Sequence, residues 1–219
     1  MALAFRLDRD NAVLLDGAGC RFDPAARRWS STPDAAAGRG LESVDVVEAV
    51  AWLQRESDDR LRVPIGVIGP RDATPRQLAA ALEVGEWLAR CGLTLVCGGR
   101  HGVMQAVCEG SARNGGVSIG ILPDTDASLA NPYVTVPIAS GIGEARNAII
   151  ARAAFCIVAV GNSHGTLSEV ALGRHFGKTV IGLEGAADVD GVVHVGSPRA
   201  AVEAVACLVL GLAPDSILA

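Results

Sequence analysis

The sequence predicts an α/β protein built on a doubly wound parallel sheet with helices on both faces, and three observations carry that expectation. From Val63 onward, short and almost uninterrupted apolar runs alternate with stretches whose apolar residues recur at helical spacing, as in parallel strands buried on both faces and joined by crossover helices. Glycine-bearing turns close three of those runs: Ile68-Gly69-Pro70-Arg71, Cys97-Gly98-Gly99-Arg100-His101-Gly102-Val103-Met104, and Gly161-Asn162-Ser163-His164-Gly165-Thr166. Half of the 219 residues are hydrophobic, which is enough for a sizeable core. A Rossmann-like domain follows, in which ligands bind beyond the carboxyl ends of the strands where the strand order reverses.

Residues 1–60 differ in texture. Alternation around Leu3–Leu7 and Ala12–Leu15, with a turn at Gly17-Ala18-Gly19, predicts a small β-hairpin, and the stretch from Arg27 to Gly40, rich in Arg, Ser, Pro and Gly, reads as a loop. Val44, Val47, Val50, Ala51 and Leu53 then repeat at helical spacing. This hairpin and helix form an N-terminal appendage to a main domain spanning 61–219. In that domain the strands are expected at Val63–Gly69, Leu93–Cys97, Val117–Leu122, Val134–Pro137, Phe155–Val160, Val180–Leu183 and Val192–Val195. Helices are expected from Pro75 to Arg90, Val103 to Arg113, Glu144 to Ala153, from Leu167, and from Pro198. The IIARAAF stretch is more apolar than one buried face requires, so a homo-oligomer of at least two copies is expected.

Composition narrows the partners. A net charge of −5 and a pI near 5.4, with scattered lysines and arginines, disfavour nucleic acid. Six cysteines without CxxC spacing read as free, mostly buried thiols in a reducing cytoplasm rather than disulfides or a zinc site. The start, MALAFRLDRD, is charged too early for a secretory signal. The apolar run from Ala200 to Leu212 is short and contains Glu203, so it predicts a packed helix and no membrane partner. His175 and His194 have no metal-ligand spacing, and no metal is expected.

The candidate site lies at the three turns. A strand that breaks into a helix aims free backbone N–H groups and the positive end of the helix dipole at the turn, a seat for an anion, and Thr166 or Ser168 adds a hydroxyl. None of the three matches GxGxxG or GxxxxGK[ST], so an ordinary dinucleotide fingerprint and a P-loop are unsupported. Together they could line one crevice for a small phosphorylated ligand. Arg71 and Arg100 carry guanidinium groups suited to phosphate, Asp72 is a further candidate, and Arg100 has a better claim than His101. His164 could donate to a phosphate, although an exposed loop histidine is the favoured reading. Tyr133 either stacks on a base or shapes its loop.

The motifs CGGxxGVM, SIGILP followed by ANPYV, GEARN, and GTLSExALGxxxGKTVIGL, in that order, resemble the Lonely Guy-like proteins, which also carry a lysine decarboxylase label. The branch resembled most includes molybdenum-cofactor-carrier-like proteins. The likeness covers residues 63 to 197 and leaves out residues 1–60. It implies a homo-oligomer that binds a nucleotide-like ligand and requires no resident cofactor. The characterised enzymes hydrolyse the N-glycosidic bond of a nucleoside 5′-monophosphate, releasing free base and ribose 5-phosphate. On their PGGxGTxxE motif, Gly165 and Thr166 fall on the GT and Glu169 on the catalytic glutamate, while Arg146 falls on the upstream arginine.

Where that motif has Pro-Gly-Gly this chain has Gly161-Asn162-Ser163, His164 fills the variable position, and Asn147 replaces the usual lysine, as suits the carrier-like branch. The resemblance thus implies Arg146 and Glu169 as the catalytic pair. Its ligand-binding set is Gly69, Arg71, Gly98, Gly99, Arg100, Gly102, Asn147 and Gly161 through Thr166. A carboxylate beside the anomeric carbon suits ribosyl cleavage. The rival expectation is a non-catalytic carrier or sensor of a nucleotide or molybdopterin-type ligand. No pyridoxal-binding signature accompanies the decarboxylase label.

Overall fold

A computed structural model of the chain describes residues 4–34 and 41–217; Leu3 of the expected hairpin and residues 35–40 of the expected loop lie outside them. The chain divides into two compact units, residues 1–61 with 202–219, and residues 62–201.

The first unit holds an antiparallel sheet of five strands, β1 (Phe5–Asp8), β2 (Val13–Leu15), β3 (Cys20–Asp23), β4 (Arg28–Pro33) and β5 (Glu42–Val44), in the order β4-β3-β2-β1-β5. Alternation in β1 buries Phe5 and Leu7, and Leu7 pairs with the buried Leu14. The sheet is larger than the hairpin that the sequence predicts, because Cys20–Asp23 and Glu42–Val44 are strands as well, and β4 is a strand rather than part of a loop. Only Trp29 of its residues is partly buried, so no period of two announces it, and Pro33 is tolerated because β4 is an edge. Trp29 holds the strand by stacking on Phe5, with centroids 5.6 Å apart, and by donating from Nε1 to the Leu210 carbonyl at 2.9 Å. Val44 ends β5; the helix α1 (Val46–Arg55) begins after Asp45, whose carboxylate accepts from the amides of Val47 and Glu48 while Glu48 answers the Asp45 amide.

The second unit is laid down as β6 (Ile65–Ile68), α2 (Pro75–Arg90), β7 (Leu95–Cys97), α3 (Val103–Arg113), β8 (Ser118–Leu122), β9 (Val136–Ala139), α4 (Asn147–Ala153), β10 (Ile157–Val160), α5 (His164–His175), β11 (Val180–Leu183) and β12 (Val192–His194); the helix that follows, α6 (Pro198–Val209), belongs from residue 202 onward to the first unit. The seven strands of the second unit are all parallel, in the order β12-β11-β10-β6-β7-β8-β9. Every residue of β6, β7, β10 and β11 is buried, which explains why these strands read as unbroken apolar runs. Ile68, Val96, Ile150, Ile157, Val170 and Val180 belong to one core cluster. On α2 and α3, Gly85 and Gly110 let the two backbones touch: a Cβ at Gly110 would overlap the Leu82 carbonyl oxygen, and one at Gly85 that of Val107.

Successive strands step from β6 out to β9, and the chain then returns to set β10 on the other side of β6. The order reverses between β6 and β10, so their carboxyl ends flank the crevice. Two helix starts differ from the sequence reading. The stretch at Glu144 opens as a 3-10 turn, Gly143–Arg146, with Gly143 at φ +60°, before α4. Helix α5 begins at His164, three residues ahead of Leu167, because Ser163 caps it. Among the described residues no helix is long and apolar enough to cross a membrane.

Candidate functional site

A cleft of about 570 Å³ opens at the reversal point. The end of β6 supplies Gly69, Pro70, Arg71 and Asp72, and the end of β7 with the start of α3 supplies Gly98 and Met104. The 3-10 turn and α4 bring Glu144, Arg146 and Asn147, and the start of α5 brings Asn162 to Thr166, Ser168 and Glu169.

Its floor is a buried ion pair. Arg146 and Glu169 are 4% and 6% exposed, and Arg146 Nη1 donates to Glu169 Oε1 at 3.3 Å. The same nitrogen donates to Asn147 Oδ1. Asn147 Nδ2 donates to Ser168 Oγ at 3.1 Å, and Ser168 Oγ to the Gly165 carbonyl at 2.7 Å, so one chain of bonds ties the guanidinium to the first turn of α5. Arg146 Nη2 lies across Gly98, where a Cβ would stand 2.6 Å from Nη2 and 2.7 Å from Met104 Sδ; only glycine leaves room for it. Arg146 Nε is buried without a hydrogen-bond partner among the described residues, a condition that costs about 1–3 kcal/mol. Burial pushes the Glu169 carboxyl up to about 7, against the pull of Arg146 and with a smaller push from Glu144.

Above the floor, Ser163 Oγ accepts from the Thr166 amide at 3.1 Å and shares a 2.9 Å hydrogen bond with Thr166 Oγ1. The first-turn amides of His164 and Gly165 have no intrahelical acceptor, and both residues line the cleft with the dipole behind them. At the rim, Arg71 Nη2 reaches Glu144 Oε1 at 3.2 Å, both side chains well exposed, so the pair is weak in water. Glu169 sits in the second turn of α5, turned toward Arg146, and therefore does not crowd the amides as a first-turn carboxylate would.

Of the residues singled out from the sequence, the cleft gathers Gly69, Arg71, Gly98, Asn147, Asn162, Ser163, His164, Gly165 and Thr166 around Arg146 and Glu169. Gly99, Arg100, Gly102 and Gly161 are not in its lining. Arg100 Nη1 is taken by Asp124 Oδ2 at 3.0 Å, while side chains at Gly99, Gly102 and Gly161 would run into Gly120, the Arg71 carbonyl and Gln77. Their turns need glycine for packing. His101 pairs with Gln105 at 3.2 Å, and Tyr133 is likewise outside the lining. Asn147, in the lining, also bonds at both ends of its amide within the protein, its Oδ1 accepting from Arg146 and its Nδ2 donating to Ser168. The cleft also takes in Glu144 and Met104, which stand in the GEARN and GVM motifs but carry no signal of their own in the sequence.

Known proteins resemble about two thirds of this chain. A Moco carrier protein from Chlamydomonas reinhardtii is 36% identical over 69% of this chain and 100% of its own, with a TM-score of 0.64. The molybdenum cofactor binding protein from the phototrophic bacterium Rippkaea orientalis is 34% identical over 68% of this chain and 99% of its own, also at 0.64. An uncharacterized protein of Archaeoglobus fulgidus is 36% identical over 138 residues, 63% of this chain and 91% of that protein. The model of the SLOG cluster4 family matches residues 62–206, which takes in the whole cleft, and the chain belongs to that family.

Proposed function

We propose that this protein binds a phosphorylated small molecule of the molybdopterin type in the cleft and hands it on unchanged. The observation that carries the reading is the convergence of a buried Arg146, its Nε unpaired among the described residues, with the open His164 and Gly165 amides on one crevice. Together they are a preformed seat for an anion. The ligand class comes from likeness to proteins whose names state that they bind or carry molybdenum cofactor. The donor set fits such a cargo: a phosphate suits the amides with Arg71, and the amino and amide edge of a pterin suits acceptors such as Asp72 and Asn162. A volume of about 570 Å³ is within the usual range for a ligand of this size. The Ser163 hydroxyl already occupies the Thr166 amide, so the cradle differs from an all-glycine phosphate turn.

One observation favours a second reading, hydrolysis of a nucleoside 5′-monophosphate. A carboxyl at about 7 beside a permanent cation is poised for proton transfer at neutral pH. Incubation with isolated molybdenum cofactor and, separately, with AMP distinguishes the two. The carrier reading expects the cofactor to stabilise the fold by about 2.7 kcal/mol at a hundredfold excess over Kd, read as a rise in melting temperature, with the cofactor recovered intact and no free adenine from AMP. Release of adenine that is lost in Glu169→Gln would replace the carrier by the hydrolase.

A further inference from the structure

Two thiols meet beneath the cleft floor. Cys97 is the last residue of β7, next to Gly98, and Cys108 lies one turn beyond Met104 in α3. Both are buried, and their Sγ atoms are 3.5 Å apart. The Gly99 amide donates to Cys97 Sγ at 3.3 Å, and the Met104 carbonyl oxygen stands 4.0 Å from that sulfur. The pair is thus tied to the two segments, Gly98-Gly99 and Met104, on which the Arg146 guanidinium rests. Its chemistry also differs from that of the isolated thiols. Burial drives Cys156 up to about 12 and Cys207 to about 11, whereas Cys108 is held below its ordinary value by the hydrogen bond from Cys97.

We propose that Cys97 and Cys108 are a reversible oxidation site, closed to a disulfide by a hydroperoxide, and that closure unseats Arg146 and weakens the anion seat above it. The Cys108 thiolate attacks one peroxide oxygen; the O–O bond breaks, the departing oxygen leaves as an alcohol or water after taking a proton, and a sulfenic acid remains on Cys108. Cys97 sulfur then attacks that sulfenic sulfur, the S–O bond breaks, and the hydroxide leaves as water with the Cys97 proton. Two thiols have lost two hydrogens, and the peroxide has been reduced. A disulfide holds its sulfurs at about 2.05 Å, so closure draws β7 and α3 together from the present 3.5 Å. Gly98 lies in the path of that movement, with the space where a Cβ would stand already taken by Arg146 Nη2 and Met104 Sδ. The binding half of this inference rests on the ligand reading given above; the covalent half does not.

The test treats the reduced full-length protein with hydrogen peroxide. It counts free thiols by mass after maleimide tagging in denaturant, maps the peptides, and measures the melting shift given by inorganic phosphate before oxidation, after it, and after dithiothreitol. The expected result is loss of two thiols per chain, a Cys97–Cys108 cross-linked peptide two hydrogens lighter than its parts, and a phosphate shift reduced roughly twofold or more, all reversed by dithiothreitol. Cys108→Ala should form no cross-link and keep its phosphate shift after peroxide; Cys97→Ser serves the same purpose if that variant does not fold. Six thiols that stay titratable under peroxide that oxidises free cysteine, a cross-link between other cysteines, or closure that leaves the phosphate shift intact would overturn the proposal. A reduced protein that phosphate does not stabilise overturns the ligand reading and the binding half together, while the mass of the peptide still decides the covalent half.

Discussion

Replacing Glu169 by glutamine should remove a pH dependence that this one carboxyl imposes on the fold. In the unfolded chain the group titrates at about 4.5, and in the native protein burial has pushed it up to about 7. Between those values the native state keeps a proton that the unfolded state has released, so stability falls as the pH rises through that window and is level above it. The difference corresponds to about 3 kcal/mol at about 1.4 kcal/mol per pH unit. Glutamine cannot titrate, yet it keeps an oxygen for the Arg146 Nη1 hydrogen bond. The stability difference between wild type and Glu169→Gln should therefore change by about 3 kcal/mol between about pH 4.5 and about pH 8. Urea unfolding followed by circular dichroism reads this as a relative movement of the two midpoints by about 1 M or more. A difference that stays constant across the window would refute the reasoning. A wild type that gains stability as the pH rises would show that Arg146 outweighs desolvation and keeps Glu169 ionised throughout.

Gly98→Ala should displace the guanidinium, because the added methyl would stand 2.6 Å from Arg146 Nη2 with Met104 Sδ on its other side at 2.7 Å; a loss of about 1–3 kcal/mol in urea unfolding is expected, together with loss of the melting shift given by phosphate. Gly110→Ala should cost at least as much, since its methyl meets the Leu82 carbonyl of α2 and not a flexible side-chain end. At a temperature where that variant is still folded, its phosphate affinity should match wild type, because α2 and α3 touch there away from the cleft lining.

Much of the fold can be read from the chain because its signals are physical and local. Wholly buried strands such as Ile157–Val160 appear as unbroken β-branched runs, and Thr74-Pro75 with Gln77 marks the start of α2 by the capping that the structure displays. Strand β4 is invisible for the opposite reason: its residues face water, and its one anchor, Trp29, bonds to Leu210 far along the chain. The start of α5 is obscured because His164-Gly165-Thr166 has the composition of a loop, and only the Ser163 hydroxyl shows that the helix has begun. The Arg146 and Glu169 pairing is what the family resemblance implies, and the two side chains do meet. The occupation of Arg100 is not legible there, since its partner Asp124 arrives on the loop after a different strand. Nor is the commitment of Asn147, which depends on Ser168 one helix away.

The placement of β10 beside β6 rather than beside β9 has a consequence for biosynthesis. A growing chain that has emerged only through Ala139 holds the Gly69–Asp72 and Gly98 side of the crevice but neither Arg146 nor the α5 amides. The seat comes into being only when Ala159 pairs with Ile68 and the sheet closes around its centre. Half-made protein on the ribosome therefore lacks one wall of the cleft, which waits for a finished sheet.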